Sequence, residues 1–196
     1  EDSFKGVVDV INGKAYYYIA TDEDAAGYLL KLSDGNYLIT GRYTPSVGGR
    51  TNSLAVKINS SGDMLWSSNV SVGSAGQYMS FTKAVETSDG YVLSGYEKPS
   101  TNYDGRLTKM NSSGQVQWNV TYGSTGDDTL SSVVSASDGS LIAIGTTTSY
   151  GSGNQLWIVK ANSTGAMQWN KTYGGAGTEL GYQIRNTSDG NFIIVG

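Results

Sequence analysis

Short runs in which apolar and polar residues alternate recur along the whole chain, each closed by a cluster of Gly, Asn, Asp or Ser. A period of two places successive side chains on opposite faces of a β-strand, and no stretch carries the 3.6-residue period of a helix. From Tyr37 the pattern predicts a strand to Tyr43, a second over Ser53 to Ile58, a third opening at Met64-Leu65-Trp66, and a fourth over Tyr78 to Glu86. The Gly-rich stretch Pro45 to Asn52, the turn Asn59-Ser60-Ser61-Gly62 and the loop Val72 to Gln77 separate them.

The pattern is punctuated by Ser-Asp-Gly followed by an apolar run. It stands at Ser33-Asp34-Gly35, Ser88-Asp89-Gly90, Ser137-Asp138-Gly139 and Ser188-Asp189-Gly190, with starts 55, 49 and 51 residues apart. A period of roughly 50 residues belongs to propellers and repeat arrays. Asp-Gly between apolar runs predicts a two-residue hairpin turn. Other landmarks keep the register: Lys57-Ile58-Asn59-Ser60-Ser61-Gly62 returns as Lys109 to Gly114 and as Lys160 to Gly165, and Trp66 as Trp118 and Trp169. The three repeated tryptophans are expected in the core between sheets, because aromatic side chains dominate β cores.

The frame gives units over residues 33–87, 88–136 and 137–187, and a fourth split between 1–32 and 188–196. Val7-Val8-Asp9-Val10 before Asn12-Gly13, Ala15 to Ala20, and Tyr28 to Leu32 supply three strands of the split unit, and Phe192-Ile193-Ile194-Val195 supplies the remaining one. The expected fold is therefore one all-β domain of about four units of four antiparallel strands. It would be β-propeller-like, its ring closed by Phe192, Ile193, Ile194 and Val195 against the N-terminal strands. In the alternative those four residues complete the split unit of another subunit, joining repeats into an extended β-sheet assembly. A third reading makes the chain an excerpt of a longer array, and Glu1 in place of an initiator Met agrees with processing or excerption.

Composition narrows the chemistry. Gly is 27 of 196 residues and Pro only 2, the profile of many short strands joined by tight turns. Charged residues are 15 %, so hydroxyls and amides must cover the surface, and low surface charge favours self-association. The net charge of −4 without a basic cluster argues against nucleic acid. No apolar run reaches the roughly 18 residues of a membrane span. His and Cys are both absent, which removes the Ser-His-Asp triad, thiolate nucleophiles and the usual zinc sites. No catalytic, metal or cofactor site is expected.

Three kinds of candidate residue remain. Asn-x-Ser/Thr sequons stand at Asn59, Asn69, Asn111, Asn119, Asn162, Asn170 and Asn186, acceptors for N-glycans in an exported protein; Asn-Ser-Ser-Gly is also good turn chemistry. Carboxylates cluster at Asp22-Glu23-Asp24 and Asp127-Asp128, with Glu179 at a related position, and are expected as solvated loop charge. The run Tyr16-Tyr17-Tyr18 places aromatics on both faces of a strand, for packing or for a subunit interface.

The order Ser-Asp-Gly, apolar run, Lys-x-Asn-x-x-Gly and Trp-Asn-x-Thr-Tyr-Gly-Gly resembles a tandem repeat of secreted, β-propeller-like surface proteins found in methanogenic archaea and some bacteria. The closest stretch is Met167-Gln168-Trp169-Asn170-Lys171-Thr172-Tyr173-Gly174-Gly175; Ser67 to Gly73 departs from it. The resemblance implies an extracellular protein of the cell envelope, S-layer or sheath type, its secretion signal removed, with no enzyme activity. The resulting expectation is a glycosylated structural protein that assembles with itself, and the alternative is an extracellular module binding glycan or protein on its loops.

Overall fold

A computed structural model describes residues 7–11, 14–17, 25–44, 51–71, 78–99 and 101–196. The fold is all-β: the described residues form sixteen strands and no helix. None therefore forms a helix long and apolar enough to cross a membrane.

Three meanders of four antiparallel strands dominate. The first sheet holds β3 (Ala25–Lys31), β4 (Tyr37–Tyr43), β5 (Asn52–Ile58) and β6 (Met64–Val70). The second holds β7 (Tyr78–Thr87), β8 (Gly90–Lys98), β9 (Asp104–Met110) and β10 (Val116–Tyr122). The third holds β11 (Asp128–Ser135), β12 (Leu141–Thr147), β13 (Gln155–Ala161) and β14 (Met167–Tyr173). Two hairpins complete the set, β1 (Val7–Ile11) with β2 (Lys14–Tyr17), and β15 (Gln183–Asn186) with β16 (Phe192–Val195).

The sheets are displaced by one strand from the units read in the sequence. Ser-Asp-Gly does not open a sheet; it turns the first strand of each sheet into the second. The reason is local pairing. At Ser33-Asp34-Gly35 the Gly35 N–H bonds the Leu32 carbonyl at 3.1 Å, and the Leu32 N–H bonds the Asn36 carbonyl at 2.9 Å. Gly35 has φ of 82°. This is a three-residue loop ending in a left-handed residue, a position glycine takes without steric cost, whereas at Ser88-Asp89-Gly90 the pairing Thr87↔Gly90 leaves the two-residue turn expected. The Asp34 carboxylate accepts the Asn36 N–H at 2.9 Å and so caps the turn.

The sheets stack face to face, so their middle strands are covered on both sides. Leu38 and Ala55 of the first sheet meet Met79, Phe81, Leu93 and Met110 of the second. Val92 and Leu107 of the second meet Leu130, Ala143, Trp157 and Val159 of the third. Ile142, Ile144 and Ile158 on the far face of the third meet Ile184 of β15. Strands buried on both faces read as nearly continuous apolar runs, which is why Tyr91-Val92-Leu93 and Leu141-Ile142-Ala143-Ile144 barely alternate.

A repeated ion pair ties each third strand to the hairpin of its own sheet. Lys57 Nζ donates to Asp34 at 2.7 Å, Lys160 Nζ lies 3.4 Å from Asp138, and Lys109 pairs with Asp89. The Lys57 ammonium and the Asn36 N–H hold the Asp34 carboxyl at about 2, and the Ser140 hydroxyl and N–H, ahead of Lys160, hold Asp138 at about 2. Thr187 and Asn191 do the same for Asp189, also at about 2. Each folded-state value lies below the roughly 3.9 of an unfolded Asp, so the stabilisation is present above about pH 4 and is lost as pH falls towards 2. The carboxylates are largely exposed, so each contribution is screened and small. The melting temperature is expected to fall between pH 4 and 2, and by less in Lys57→Met, which lacks the largest cause of the Asp34 shift. Identical pH profiles for the two proteins would disprove the role given to Lys57.

Candidate functional site

Each fourth strand carries the repeated Trp, and its surroundings differ from sheet to sheet. Trp66 on β6 lies against the turn of the next sheet: its Nε1 donates to the Ser112 carbonyl at 3.1 Å, and a methyl on Gly114 would fall 2.6 Å from its ring. Trp118 on β10 lies against the following turn in the same way, its ring about 3.0 Å from a methyl placed on Gly165, while Tyr122 Oη donates to the Gly165 carbonyl at 2.6 Å. The glycine of Lys-x-Asn-x-x-Gly is thus both the left-handed turn residue and the flat seat for the preceding sheet's indole.

β14 bears the Trp at the same position and, among the described residues, no such cover. Trp169 is 40 % exposed and Tyr173 53 % exposed, which corrects the expectation that Trp169 belongs to the core. The reason is that the cover of Trp66 and Trp118 comes from the next sheet's glycine turn, and no such turn lies on Trp169 among the described residues. A groove of about 400 Å³ beside this face is lined by Tyr173, Glu179, Tyr182 and Gly196.

Among the described residues the predicted closing strand pairs on one side only. Phe192 to Val195 pairs with β15 through Gln183↔Val195, Ile184↔Ile194, Arg185↔Ile193 and Asn186↔Phe192. The expected pairing with the N-terminal strands is absent among the described residues, where β1 pairs only with β2. Phe192, Ile193 and Val195 are exposed while Ile194 packs on the third sheet. By position in the repeat, β15 and β16 are a first and second strand, and β1 and β2 a third and fourth.

The four first strands converge. Five residues before each repeated serine stand Tyr28, Lys83, Ser132 and Gln183; three residues before it stand Leu30, Val85, Val134 and Arg185. All of them line one cavity of about 290 Å³.

The sequons fall into two settings. Asn59, Asn111 and Asn162 cap their turns: each side-chain oxygen accepts two backbone N–H groups, from Ser61 and Asp63, from Ser113 and Gln115, and from Thr164 and Ala166. The amide nitrogens of Asn59 and Asn111 also donate, to Asp63 and Gln115. Asn69 and Asn119 are exposed on the outer strands β6 and β10. Asn170 is half-buried and accepts the Trp157 Nε1 proton at 3.2 Å, and exposed Asn186 donates to the Ser135 carbonyl.

The carboxylate expectations divide. Asp127 is exposed, whereas Asp128 is fully buried, a correction to the solvated reading. Asp128 accepts from the Ser149 hydroxyl at 2.6 Å, from the Ser124 N–H at 3.0 Å and from the Thr147 hydroxyl, and so organises the loop between β10 and β11. Half-buried Glu179 accepts the Gly175 N–H at 3.2 Å in the corresponding loop of the next repeat. Asp22-Glu23-Asp24 and Tyr18 lie outside the described residues, as do the side chains of Tyr16 and Tyr17.

A tyrosine cluster escaped the sequence reading because its members sit in different strands and loops. Tyr78 and Tyr96 stack with centroids 5.9 Å apart, and Tyr103 meets Tyr96 edge-on at 5.4 Å. The Arg42 guanidinium donates to Tyr78 Oη at 2.5 Å, and Lys98 Nζ lies 4.8 Å from the Tyr103 ring centre. Burial raises the Tyr96 hydroxyl to about 12. No protein-family model matches the chain, and no curated protein matches it.

Proposed function

We propose that this chain is a structural cell-surface protein that assembles with copies of itself into an S-layer, sheath or extracellular fibre. The observation that carries the reading is the exposed Trp169 and Tyr173 on β14, set against Trp66 and Trp118, which the next sheet's glycine turn covers. An indole face built for a turn, beside the β15–β16 hairpin, suits a second copy supplying β1 and β2. The three sheets and two hairpins are then the blades of a small propeller-like ring, with the composite blade formed between subunits. Convergence of the four first strands on one cavity supports this arrangement. The resemblance to secreted archaeal surface repeats supports an extracellular place and covalent N-glycans, and no catalytic role is assigned. Electron microscopy of the purified protein beside its sedimentation tests it: ordered sheets, hoops or fibres are expected, and a monodisperse particle of one-chain mass would overturn it.

The sequons give a second test. The outer strands turn Asn69 and Asn119 to solvent, whereas Asn59 and Asn111 hold both side-chain atoms in turns. In protein from its native source, glycopeptide mass spectrometry is expected to find Asn119 and Asn69 occupied above Asn59 and Asn111. Uniformly bare sequons would remove the glycan from the proposal.

A second reading, an extracellular binding module, is favoured by the Tyr78, Tyr96 and Tyr103 cluster, because stacked aromatic faces with flanking cations suit a sugar ring or a peptide.

A further inference from the structure

The cavity shared by the four first strands departs from the repeat in its charge. The inner position three residues before each repeated serine is aliphatic in three sheets, as Leu30, Val85 and Val134, and is Arg185 in the fourth strand. The position five residues before it is neutral in three strands and is Lys83 in β7. β11 packs against both β7 and β15, and all three strands reach the cavity wall. Two cations are thereby brought to one space, and no carboxylate lines it among the described residues.

Their partners leave that charge uncompensated. Lys83 Nζ lies 5.3 Å from the centre of the Tyr28 ring, a cation–π contact that carries no negative charge. When the Gln183 amide is turned to face it, its oxygen stands 2.6 Å from Arg185 Nε and 2.9 Å from Nη2. That takes two of the five guanidinium donors and neutralises nothing. Burial, and secondarily the field of Arg185, push the Lys83 ammonium below the usual lysine range, as two like charges sharing a half-enclosed space must. Arg185 is exposed and Lys83 half-buried, so a solute reaches both.

We propose that this cavity binds a small oxyanion, gripped between the Lys83 ammonium and the Arg185 guanidinium. A guanidinium presents a planar fork to two oxygens of a carboxylate, sulfate or phosphate, and an ammonium in the same space supplies a point charge to a third contact. Ser132, from β11, adds a hydroxyl to the same wall. The shared ligand chemistry is a compact anion bearing two or more oxygens, whether a free inorganic ion or the carboxylate of a sugar acid. The site is independent of assembly, because all its residues belong to one chain and to the first strands.

Calorimetric titration of the intact protein with sodium sulfate, sodium phosphate and sodium glucuronate, at constant ionic strength in sodium chloride, tests it. One saturable site per chain is expected. Tighter binding of sulfate or phosphate assigns a free inorganic ion as the source, and tighter binding of glucuronate assigns a sugar acid. Arg185→Leu installs the aliphatic residue the other repeats carry there, so it is expected to fold, and to weaken binding by on the order of tenfold or more. Lys83→Met is expected to act likewise, and the affinity of the unaltered protein is expected to fall as alkaline pH discharges Lys83. Absence of a saturable site for all three anions would overturn the proposal, and so would an affinity unchanged in a folded Arg185→Leu protein.

Discussion

Trp157→Ala is expected to destabilise the fold by about 3–5 kcal/mol, a loss comparable with the whole stability of many domains of this size. Trp157 is the largest fully buried side chain, at 0 % exposure between the second and third sheets. Its ring meets Gly105, where a methyl would come within 3.2 Å, and Tyr150, whose ring centre is 5.8 Å away. Truncation leaves a cavity that strands fixed by two ladders cannot close, and it orphans Asn170 Oδ1, the acceptor of the indole proton. Urea denaturation followed by tryptophan fluorescence measures the loss. The informative comparison is Trp169→Ala, which removes an exposed ring and is expected to change monomer stability by less than about 1 kcal/mol. Equal effects of the two substitutions would mean that the third sheet is packed differently from the arrangement described.

The contrast between these tryptophans shows how far the sequence could be read. Strand existence was legible because period-two alternation and Gly/Asn turns are local signals; the strand expected at Tyr37 to Tyr43 is β4 to the residue. The grouping of strands into sheets was not, because Ser-Asp-Gly marks a repeat equally well as a boundary or as an internal hairpin, and only hydrogen bonding decides. Trp157 went unnoticed since it is not a repeated residue: Leu54 and Arg106 hold the corresponding places. Those three lie across from Gly41, Gly95 and Gly145, so the glycine recurs while its partner varies. Trp169 was misplaced for the opposite reason, since the same repeated Trp on β6, β10 and β14 meets a following turn in two cases and solvent in the third. A β-bulge recurs beside each repeated Trp, where Lys57, Lys109 and Lys160 pair with it and the residue one place before it is skipped. The skipped residue breaks the period-two alternation, so Met167 and Trp169, two residues apart, lie on opposite faces.

Trp169→Lys is expected to abolish assembly while leaving the monomer folded. A buried Trp at the centre of an interface is commonly worth about 2 kcal/mol or more, roughly thirtyfold in affinity per contact, and a polymer multiplies that loss at every junction. The substitution puts a hydrated charge where a glycine turn must seat, so it opposes docking as well as removing contact area. Ile193→Lys attacks the second half of the same junction by charging an exposed position of β16, the device by which natural edge strands avoid pairing. Sedimentation velocity and electron microscopy of both variants beside the unaltered protein decide the matter. Loss of polymer in each, with unchanged circular dichroism and melting, supports a junction made of the β14 face and the β16 edge. If the unaltered protein is a one-chain particle and Trp169→Lys lowers its melting temperature, the β1–β2 hairpin of the same chain covers the face. The ring is then closed within one subunit, and the tyrosine cluster and the cationic cavity become the surfaces through which it acts.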